Sequence, residues 1–235
     1  MRFYLPEFEK THCLIGDTHT HAAYALRIHS GDYVTVFDGE GNEYNCVVLE
    51  VKRDRTELDV IDTKKNVGES KIDVSLYLSV IKQDRYELAV QKATELGVNR
   101  IIPVYSAYTQ RGGSLNYDRL FKIAVSACEQ CGRSRVPEIH KSIEFDELVK
   151  RAKDSYLIFP WERELKGDIK SAINKSQQSY SVFIGPEGGI TENEKQILTE
   201  VGAKSVTLGP RILRAETAAI TALSVIYYEM GEWAL

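Results

Sequence analysis

Three glycines lie within five residues in the segment 183–190, which reads Phe-Ile-Gly-Pro-Glu-Gly-Gly-Ile. Glycines leave backbone N–H groups uncovered and permit positive φ angles, as a loop that wraps closely around a ligand requires. A Walker-type phosphate loop needs Lys and Ser or Thr after its last glycine, where this chain has Ile190 and Thr191. Glu187 also places a carboxylate where a phosphate would lie. The segment therefore predicts a site for a ligand without phosphates, with a tight strand-to-helix turn as the alternative.

A second loop of similar character spans 208–218 and reads Leu-Gly-Pro-Arg-Ile-Leu-Arg-Ala-Glu-Thr-Ala. The Gly-Pro pair recurs, so two predicted strand ends each carry a Gly-Pro loop. In α/β sheets, ligands bind beyond the carboxyl ends of strands, where such loops meet. Arg211 and Arg214 precede a predicted helix, and positive charge there opposes the helix macrodipole. Their position indicates a role in function, with a solvated or ion-paired helix start as the alternative.

Both loops belong to a region in which strands and helices alternate. Short apolar runs predict strands at 74–80, 101–104, 156–159, 181–184 and 206–208. Helical spacing and capping residues predict helices at 84–96, 117–131, 191–201 and 215–229. This alternation is typical of a parallel α/β sheet with helices on its faces, which we assign to residues 71–235.

The first 70 residues have a different pattern. Strand-like runs at 33–37, 46–51 and 57–62 are separated by turn residues, notably Asp-Gly-Glu-Gly-Asn at 38–42. The pattern predicts a small all-β barrel over residues 1–70. We interpret the polar stretch 64–71 as the linker to the second domain.

Composition limits the class of protein. The chain has 235 residues, 43% of them hydrophobic and 27% charged, as in ordinary globular proteins. No apolar run approaches the ~18 residues that span a bilayer, and the first residues lack the apolar core of a signal peptide. Four cysteines are too few for a disulfide scaffold. We therefore expect a cytoplasmic protein with no membrane contact, and the net charge of −4 argues against a general nucleic-acid coat protein.

Several segments resemble one known family. The loop sequences IGPEGGI and LGPRILRAETA, with the segments 91–98 and 129–134 ahead of them, are similar to the bacterial small-subunit rRNA uridine-N3 methyltransferase family. The opening residues 2–4, and Leu26-Arg27 followed by Gly31-Asp32, resemble that family as well. The resemblance therefore extends from one end of the chain to the other.

The resemblance implies a fold, a cofactor and a substrate. The fold would be a PUA-like β-barrel followed by a SPOUT-class α/β methyltransferase domain with a C-terminal trefoil knot, and the protein would form a homodimer through the knot domain. It would use S-adenosyl-L-methionine to methylate N3 of one uridine, position 1498, in the 16S rRNA of the small ribosomal subunit. Trp161 would lie near the cofactor in the first knot loop. The residues expected to bind the cofactor are Phe159, Gly185, Pro186, Glu187, Gly188, Gly189, Leu208, Gly209, Ile212 and Leu213.

Methylation at N3 makes demands on the site. The imide proton of uridine has a pKa roughly two units above neutral, so its loss at pH 7 costs about 3 kcal/mol. Arg211 and Arg214 are candidates to stabilise the uridine anion or to hold a flanking phosphate. Glu216 is the candidate general base, with an ion pair to either arginine as the alternative. We expect no metal, because the sulfonium of the cofactor is already activated.

The most basic stretch of the sequence lies at 111–135, with Tyr108 and Tyr117 close by as candidates for base stacking. Residues 111–114, Arg-Gly-Gly-Ser, have the composition of a flexible loop that closes on RNA. The residues predicted to contact RNA are Arg27, Arg111, Gln130, Arg133 and Arg135, with an ordinary surface position as the alternative for each.

Two other classes of function stay open at this point. A non-catalytic rRNA-binding or ribosome-assembly factor that retains the fold would bind RNA without S-adenosylmethionine, and intact glycine loops argue against it. A nucleotide-dependent oxidoreductase would bind NAD, which Glu187 and the late position of the glycine loop disfavour.

Overall fold

The computed structural model describes residues 1–111 and 115–234. The glycines of the predicted 111–114 loop lie outside the described residues. The chain divides into two compact units, of which the first comprises Met1–Glu69 and Val125–Val136 and the second Ser70–Ala124 and Pro137–Leu235. The first unit therefore contains a segment distant in sequence from the amino-terminal residues.

The first unit is built on a five-stranded sheet. Its strands are β1 (Arg2–Tyr4), β2 (Cys13–Ile15), β3 (Tyr33–Phe37), β4 (Asn42–Val51) and β5 (Arg55–Lys65). The spatial order is β1-β3-β4-β5-β2, with β1 parallel to β3 and the other pairs antiparallel. The all-β prediction is incomplete, because helices α1 (Phe8–Thr11) and α2 (Gly16–Thr20) and a π-helical turn at His21–Ala25 lie between strands.

The predicted turn at 38–42 forms a tight β3–β4 connection. Asp38 Oδ1 accepts hydrogen bonds from the backbone N–H groups of Glu40, at 2.7 Å, and Asn42, at 3.0 Å. Gly39 and Gly41 have φ angles of +83° and +108°, which residues with side chains rarely adopt. The aspartate and the two glycines that predict a turn from the sequence are therefore the residues that close this hairpin.

The stretch 64–71 is not the free linker that its polarity predicts. Lys64 and Lys65 belong to β5, and the carbonyl of Val67 accepts a hydrogen bond from Ser134 N at 2.9 Å. Glu69 forms a buried ion pair with Arg133. The segment is therefore held by contacts to residues far away in sequence, which its composition does not reveal.

The second unit contains a seven-stranded parallel sheet, as the alternating pattern predicts. Its strands are β6 (Asp73–Ser79), β7 (Arg100–Tyr105), β8 (Glu138–Ile139), β9 (Ile143–Glu144), β10 (Leu157–Pro160), β11 (Ser179–Ile184) and β12 (Lys204–Val206). The order is β12-β10-β11-β6-β7-β8, and β9 also pairs with β7. Its helices are α3 (Gln83–Leu96), α5 (Phe145–Ala152), α6 (Ile169–Ala172), α7 (Glu192–Glu200) and α8 (Ala215–Glu229); the division between the units falls inside α4 (Tyr117–Cys131).

Both faces of this sheet are buried. Tyr77, Phe159 and Phe183 pack in one hydrophobic cluster with Leu148 of α5 and Leu198 of α7. Because successive side chains of a strand point to opposite faces, their neighbours face the other way, and these are also buried: Leu76, Leu78, Ile158, Val182 and Ile184. Helix α8 packs on that side of the unit against α3, β11 and β6. In the part of the chain that the structure describes, no helix is both long and apolar enough to cross a bilayer.

Candidate active site

Three chain segments leave the carboxyl ends of three neighbouring strands and line one cleft. Strands β12, β10 and β11 are adjacent in the sheet. Their carboxyl ends and the segments that follow contribute residues 207–209 with 211–213, 160–162 and 184–190. Ala215 and Ala218 of α8 complete the wall of a cavity of about 220 Å³. This edge of a parallel sheet is where ligands of α/β proteins bind.

The glycine loop after β11 is closely packed at each of its three glycines. A Cβ atom at Gly185 would lie 2.6 Å from Ile190 Cγ1, and one at Gly188 would lie 2.7 Å from Tyr108 Cβ. Gly189 has a φ angle of +80°, and its N–H donates to the carbonyl of Pro186 at 2.9 Å. The first two glycines are thus required for space and the third for backbone conformation.

Trp161 joins the three segments. Its indole Nε1 donates to the carbonyl of Ile190 at 3.1 Å, and its backbone N–H donates to the carbonyl of Val206 at 2.9 Å. On the third segment, Thr207 N donates to Gly167 O at 2.6 Å. The walls of the cleft are therefore fixed by hydrogen bonds before any ligand binds.

The exit of the glycine loop is anchored by the capping box that the sequence predicts at the start of α7. Thr191 Oγ1 accepts a hydrogen bond from Glu194 N, and Glu194 Oε2 accepts one from Thr191 N at 2.9 Å. The Glu194 carboxylate is buried, and its Oε1 accepts a further bond from Ala107 N at 2.8 Å. One carboxylate thereby ties the glycine loop to the loop that follows β7.

The charged groups of the cleft suit a ligand that carries a positive charge. Glu162 and Glu187 line it, together with the single cation Arg211 among the described lining residues. Glu187 Oε1 accepts a hydrogen bond from Arg85 Nη1 at 3.0 Å, which fixes that carboxylate at the mouth. Two carboxylates would repel a phosphate, as the sequence argument anticipates.

The structure brings together nine of the ten residues predicted to bind the cofactor. Those that line the cleft are Gly185, Pro186, Glu187, Gly188, Gly189, Leu208, Gly209, Ile212 and Leu213. Phe159 does not line it, because its side chain is fully buried in the cluster beneath the sheet. Its neighbours Pro160 and Trp161 are at the cleft instead, so the assignment of Phe159 is corrected to a core residue.

The three predicted catalytic residues lie along one segment but in different surroundings. Arg211 lines the cleft and is exposed, and Arg214 is the exposed N-cap residue of α8. Glu216 is buried in the first turn of that helix and does not line the cleft. Its Oε2 has no hydrogen-bond partner among residues 1–111 and 115–234, although buried polar atoms are nearly always satisfied.

The predicted RNA contacts separate into exposed and buried side chains. Arg27, Gln130 and Arg135 are exposed residues of the first unit. Arg133 is 2% exposed, and its Nη2 donates to Glu69 Oε2 at 2.8 Å. A side chain buried in an ion pair is not available to a phosphate, so the prediction for Arg133 is corrected to a structural role.

Arg111 is an exposed residue of the second unit. Its guanidinium donates to Glu144 Oε2 at 2.8 Å and lies 5.6 Å from the centre of the Tyr105 ring. An exposed pair of this kind contributes little to stability and is easily exchanged for a phosphate contact.

Metal ligation finds no support among the described residues, where no three His, Cys, Asp or Glu side chains cluster. Cys128 lies in a predicted and observed helix and is fully buried. Burial raises the pKa of its thiol to about 12, which keeps it protonated at neutral pH.

Comparison with known families defines the class of protein. Residues 68–227, more than half of the chain, match the family model described as an RNA methyltransferase domain. The matched region contains β6 to β12 and the whole cleft. The second unit is thus an RNA methyltransferase domain in fold and in family.

Relatives that match about nine tenths of the chain or more identify the family within this class. The chain is 32% identical to ribosomal RNA small subunit methyltransferase E of Rickettsia conorii, covering 91% of this chain and 88% of that protein. It is 33% identical to the protein of the same name from Bacillus subtilis, covering 93% and 90%. A crystal structure of the Neisseria gonorrhoeae enzyme of that name, bound to S-adenosyl methionine, superimposes with a TM-score of 0.82 at 30% identity, covering 97% and 96%. The chain belongs to the ribosomal RNA small subunit methyltransferase E family.

Proposed function

We propose that this protein transfers a methyl group from S-adenosyl-L-methionine to N3 of one uridine, position 1498, in the 16S rRNA of the small ribosomal subunit. The observation that carries the proposal is the cleft at the carboxyl ends of β10, β11 and β12, with its uncovered glycine backbone and two carboxylates. The Neisseria gonorrhoeae relative, which shares the fold over almost its whole length, was crystallised with the same cofactor.

The cleft fits S-adenosylmethionine in shape and charge. A side chain at Gly189 would displace Glu162, since a Cβ there would come within 2.6 Å of Glu162 Oε1. The backbone groups of 184–190 and 207–213 are then available to hydrogen-bond adenine and ribose. Glu162 and Glu187 are placed to attract the cationic ammonium and sulfonium groups. When bound, the cofactor supplies an electrophilic methyl group.

The residues of this chain must lower the cost of removing the uridine N3 proton. That cost is about 3 kcal/mol at pH 7 for a pKa roughly two units above neutral. Arg211 and Arg214 stabilise the anion by placing positive charge beside it. Glu216 is the candidate to accept the proton, because its buried Oε2 has no hydrogen-bond partner among the described residues, and exchanging it for Gln is expected to lower kcat. An unchanged kcat in Glu216→Gln would remove that residue from the mechanism.

An Arg214→Ala variant is expected to lower kcat at least about tenfold while leaving the S-adenosylmethionine Kd within about twofold. The reason is that Arg214 is exposed at the start of α8 and does not line the cofactor cleft. Single-turnover methylation and isothermal titration measure the two quantities. Lys150→Ala, which removes a 74% exposed cation of α5, is the control. A loss of cofactor affinity as large as the loss of turnover would contradict the role at the uridine.

The fold expected for this activity includes a C-terminal trefoil knot. Its support is the crossing of the chain at Thr207, which pairs with Gly167 and Asp168 of the loop that follows β10 before the chain enters α8. A crystal structure traced from β10 to α8 checks the threading. An unthreaded trace would remove the knot from the proposal.

We infer that the protein acts in the cytoplasm as a homodimer joined through the second unit. Exposed apolar side chains support a partner surface there, since Ile212 and Leu165 are 88% and 90% exposed, and Tyr228 and Trp233 at the end of α8 are 62% and 55% exposed. Sedimentation equilibrium measures the mass. A monomer at micromolar concentration would contradict the dimer.

The first unit, proposed as a PUA-like RNA-binding barrel, would supply Arg27, Gln130 and Arg135 to the rRNA, and the second unit would add Arg111. All four side chains are exposed, which supports their proposed contacts with the rRNA. Alanine at each position is expected to weaken RNA binding, and at the three arginines it should also reduce the salt dependence of binding. A binding constant unchanged in all four variants would contradict it.

Transfer of a labelled methyl group from S-adenosylmethionine to small ribosomal subunits that lack the modification tests the proposed reaction. The labelled nucleotide is then identified by nuclease digestion and mass spectrometry. The expected product is 3-methyluridine at one position of 16S rRNA. Label on another atom, or in no rRNA, would overturn the proposal.

A further inference from the structure

A second groove adjoins the cofactor cleft. It has a volume of about 570 Å³ and shares Glu187 and Gly188 with the cleft. Its remaining described lining residues come from the segment that joins β6 to α3, from the first turn of α3 and from the segment between β7 and α4: Val80, Ile81, Lys82, Gln83, Arg85, Tyr108, Gln110 and Leu115. A ligand in this groove would therefore lie against the same glycine that borders the cofactor.

Tyr108 presents an aromatic ring in this groove. Its side chain is 58% exposed, so the ring is accessible to a ligand. Its Cβ packs so closely on Gly188 that a Cβ at that glycine would lie 2.7 Å away. The ring therefore stands directly beside the glycine loop.

Buried hydrogen bonds hold the Tyr108 turn in place. Thr109 Oγ1 accepts from Ser106 N at 2.9 Å, and Ser106 Oγ lies 3.2 Å from Ser79 Oγ at the end of β6. On the other side of Tyr108, Ala107 N donates to the buried Glu194 at 2.8 Å. Because buried polar groups hold this turn, the exposed ring is pre-organised to receive a ligand.

Two cations stand at the same groove. Arg85 is held through Nη1 by Glu187 at 3.0 Å, and its other N–H groups make no hydrogen bond to any residue in the described ranges. Lys82 is exposed and forms no ion pair within those ranges. Aromatic rings beside cations are the features with which proteins hold single unstacked nucleotides.

We propose that the groove receives the target nucleotide, with its uracil stacked on Tyr108 and its flanking phosphates on Lys82 and Arg85. The proposal rests on the proposed function, because it places the methyl acceptor beside the cofactor. A base that is to be methylated must leave its stack, and an aromatic platform repays part of the unstacking cost. The shared residues Glu187 and Gly188 make the two ligands neighbours across one turn of the glycine loop.

Substitutions of Tyr108 separate stacking from packing. Tyr108→Ala is expected to lower kcat/KM for small ribosomal subunits about tenfold or more, the range measured for loss of one base–aromatic contact. Tyr108→Phe keeps the ring and should stay within about twofold of wild type, whereas Tyr108→Leu keeps apolar volume and should behave like the alanine variant. The S-adenosylmethionine Kd should be unchanged in all three. Leu88→Ala, which removes a 42% exposed apolar side chain on α3, is the control.

The outcomes distinguish failure of this inference from failure of the proposed function. If the wild-type protein methylates 16S rRNA and Tyr108→Ala or Tyr108→Leu does so equally well, the stacking role alone is overturned. An equal loss of cofactor affinity would reassign Tyr108 to support of the glycine loop. If the wild-type protein methylates no 16S rRNA, the proposed function fails. Equilibrium binding of small ribosomal subunits then tests the stacking role of Tyr108. The Phe variant must bind them about as well as wild type, and the Ala and Leu variants must bind them more weakly.

Discussion

A Gly188→Val variant is expected to bind S-adenosylmethionine at least about 100-fold more weakly than wild type, a loss of ~2.7 kcal/mol in binding free energy. The first atom of any side chain at this position would lie 2.7 Å from Tyr108 Cβ, a distance that non-bonded carbon atoms do not reach. Valine must therefore push the glycine loop or the Tyr108 turn out of position. A displaced glycine loop distorts the cleft in which we propose that the cofactor binds, and isothermal titration measures the result.

The control for this prediction is Gln178→Val, which adds the same side chain at an exposed position just before β11. It should bind the cofactor as wild type does. The unfolding temperatures of both variants show whether valine at 188 acts locally. Wild-type affinity in a folded Gly188→Val protein would show that the cofactor does not lie against this loop.

Arg133→Ala is expected to lower the free energy of unfolding by about 3–5 kcal/mol, because it leaves the Glu69 carboxylate buried without its partner. The two side chains are 2% and 7% exposed and are joined at 2.8 Å. The carbonyl of Arg133 also accepts a hydrogen bond from Arg2 at 2.8 Å, so the pair is built into the first unit. Chemical denaturation measures the change.

Arg135→Ala is the matched control, since it removes an exposed arginine two residues away. Its unfolding free energy should fall by no more than about 1 kcal/mol, as for most surface substitutions. The double variant Arg133→Met, Glu69→Met should recover part of the lost stability, because no unpaired charge then stays buried. A stable Arg133→Ala protein with weakened RNA binding would contradict the structural role and restore the sequence interpretation.

Elements with strong local signals were predictable from the sequence. Helices α4 and α8 have the bounds expected from their apolar spacing, and Gly97 caps α3 with a φ angle of +108°. The short strand β12 is observed at Lys204–Val206 rather than 206–208, because three residues carry too little pattern to fix their ends. Helix α5 was missed even though Phe145, Leu148 and Ala152 have helical spacing.

The cleft was predictable only where its residues are contiguous in sequence. Two glycine-containing loops supply most of the lining, and both were recognised from their composition. The contribution of Pro160 to Glu162 depends on the position of β10 between β11 and β12, which no local pattern encodes. The burial of Arg133 depends likewise on Glu69, whose carboxylate lies 64 positions away along the chain.

Isothermal titration of the wild-type protein with S-adenosylmethionine, and separately with NAD, tests the central claim most directly. The claim is that the cleft formed by the two Gly-Pro loops holds a cationic, phosphate-free cofactor. The predicted result is binding of S-adenosylmethionine in the micromolar range and no binding of NAD, whose phosphates would meet Glu162 and Glu187. Binding of NAD alone, or of neither ligand, would contradict it.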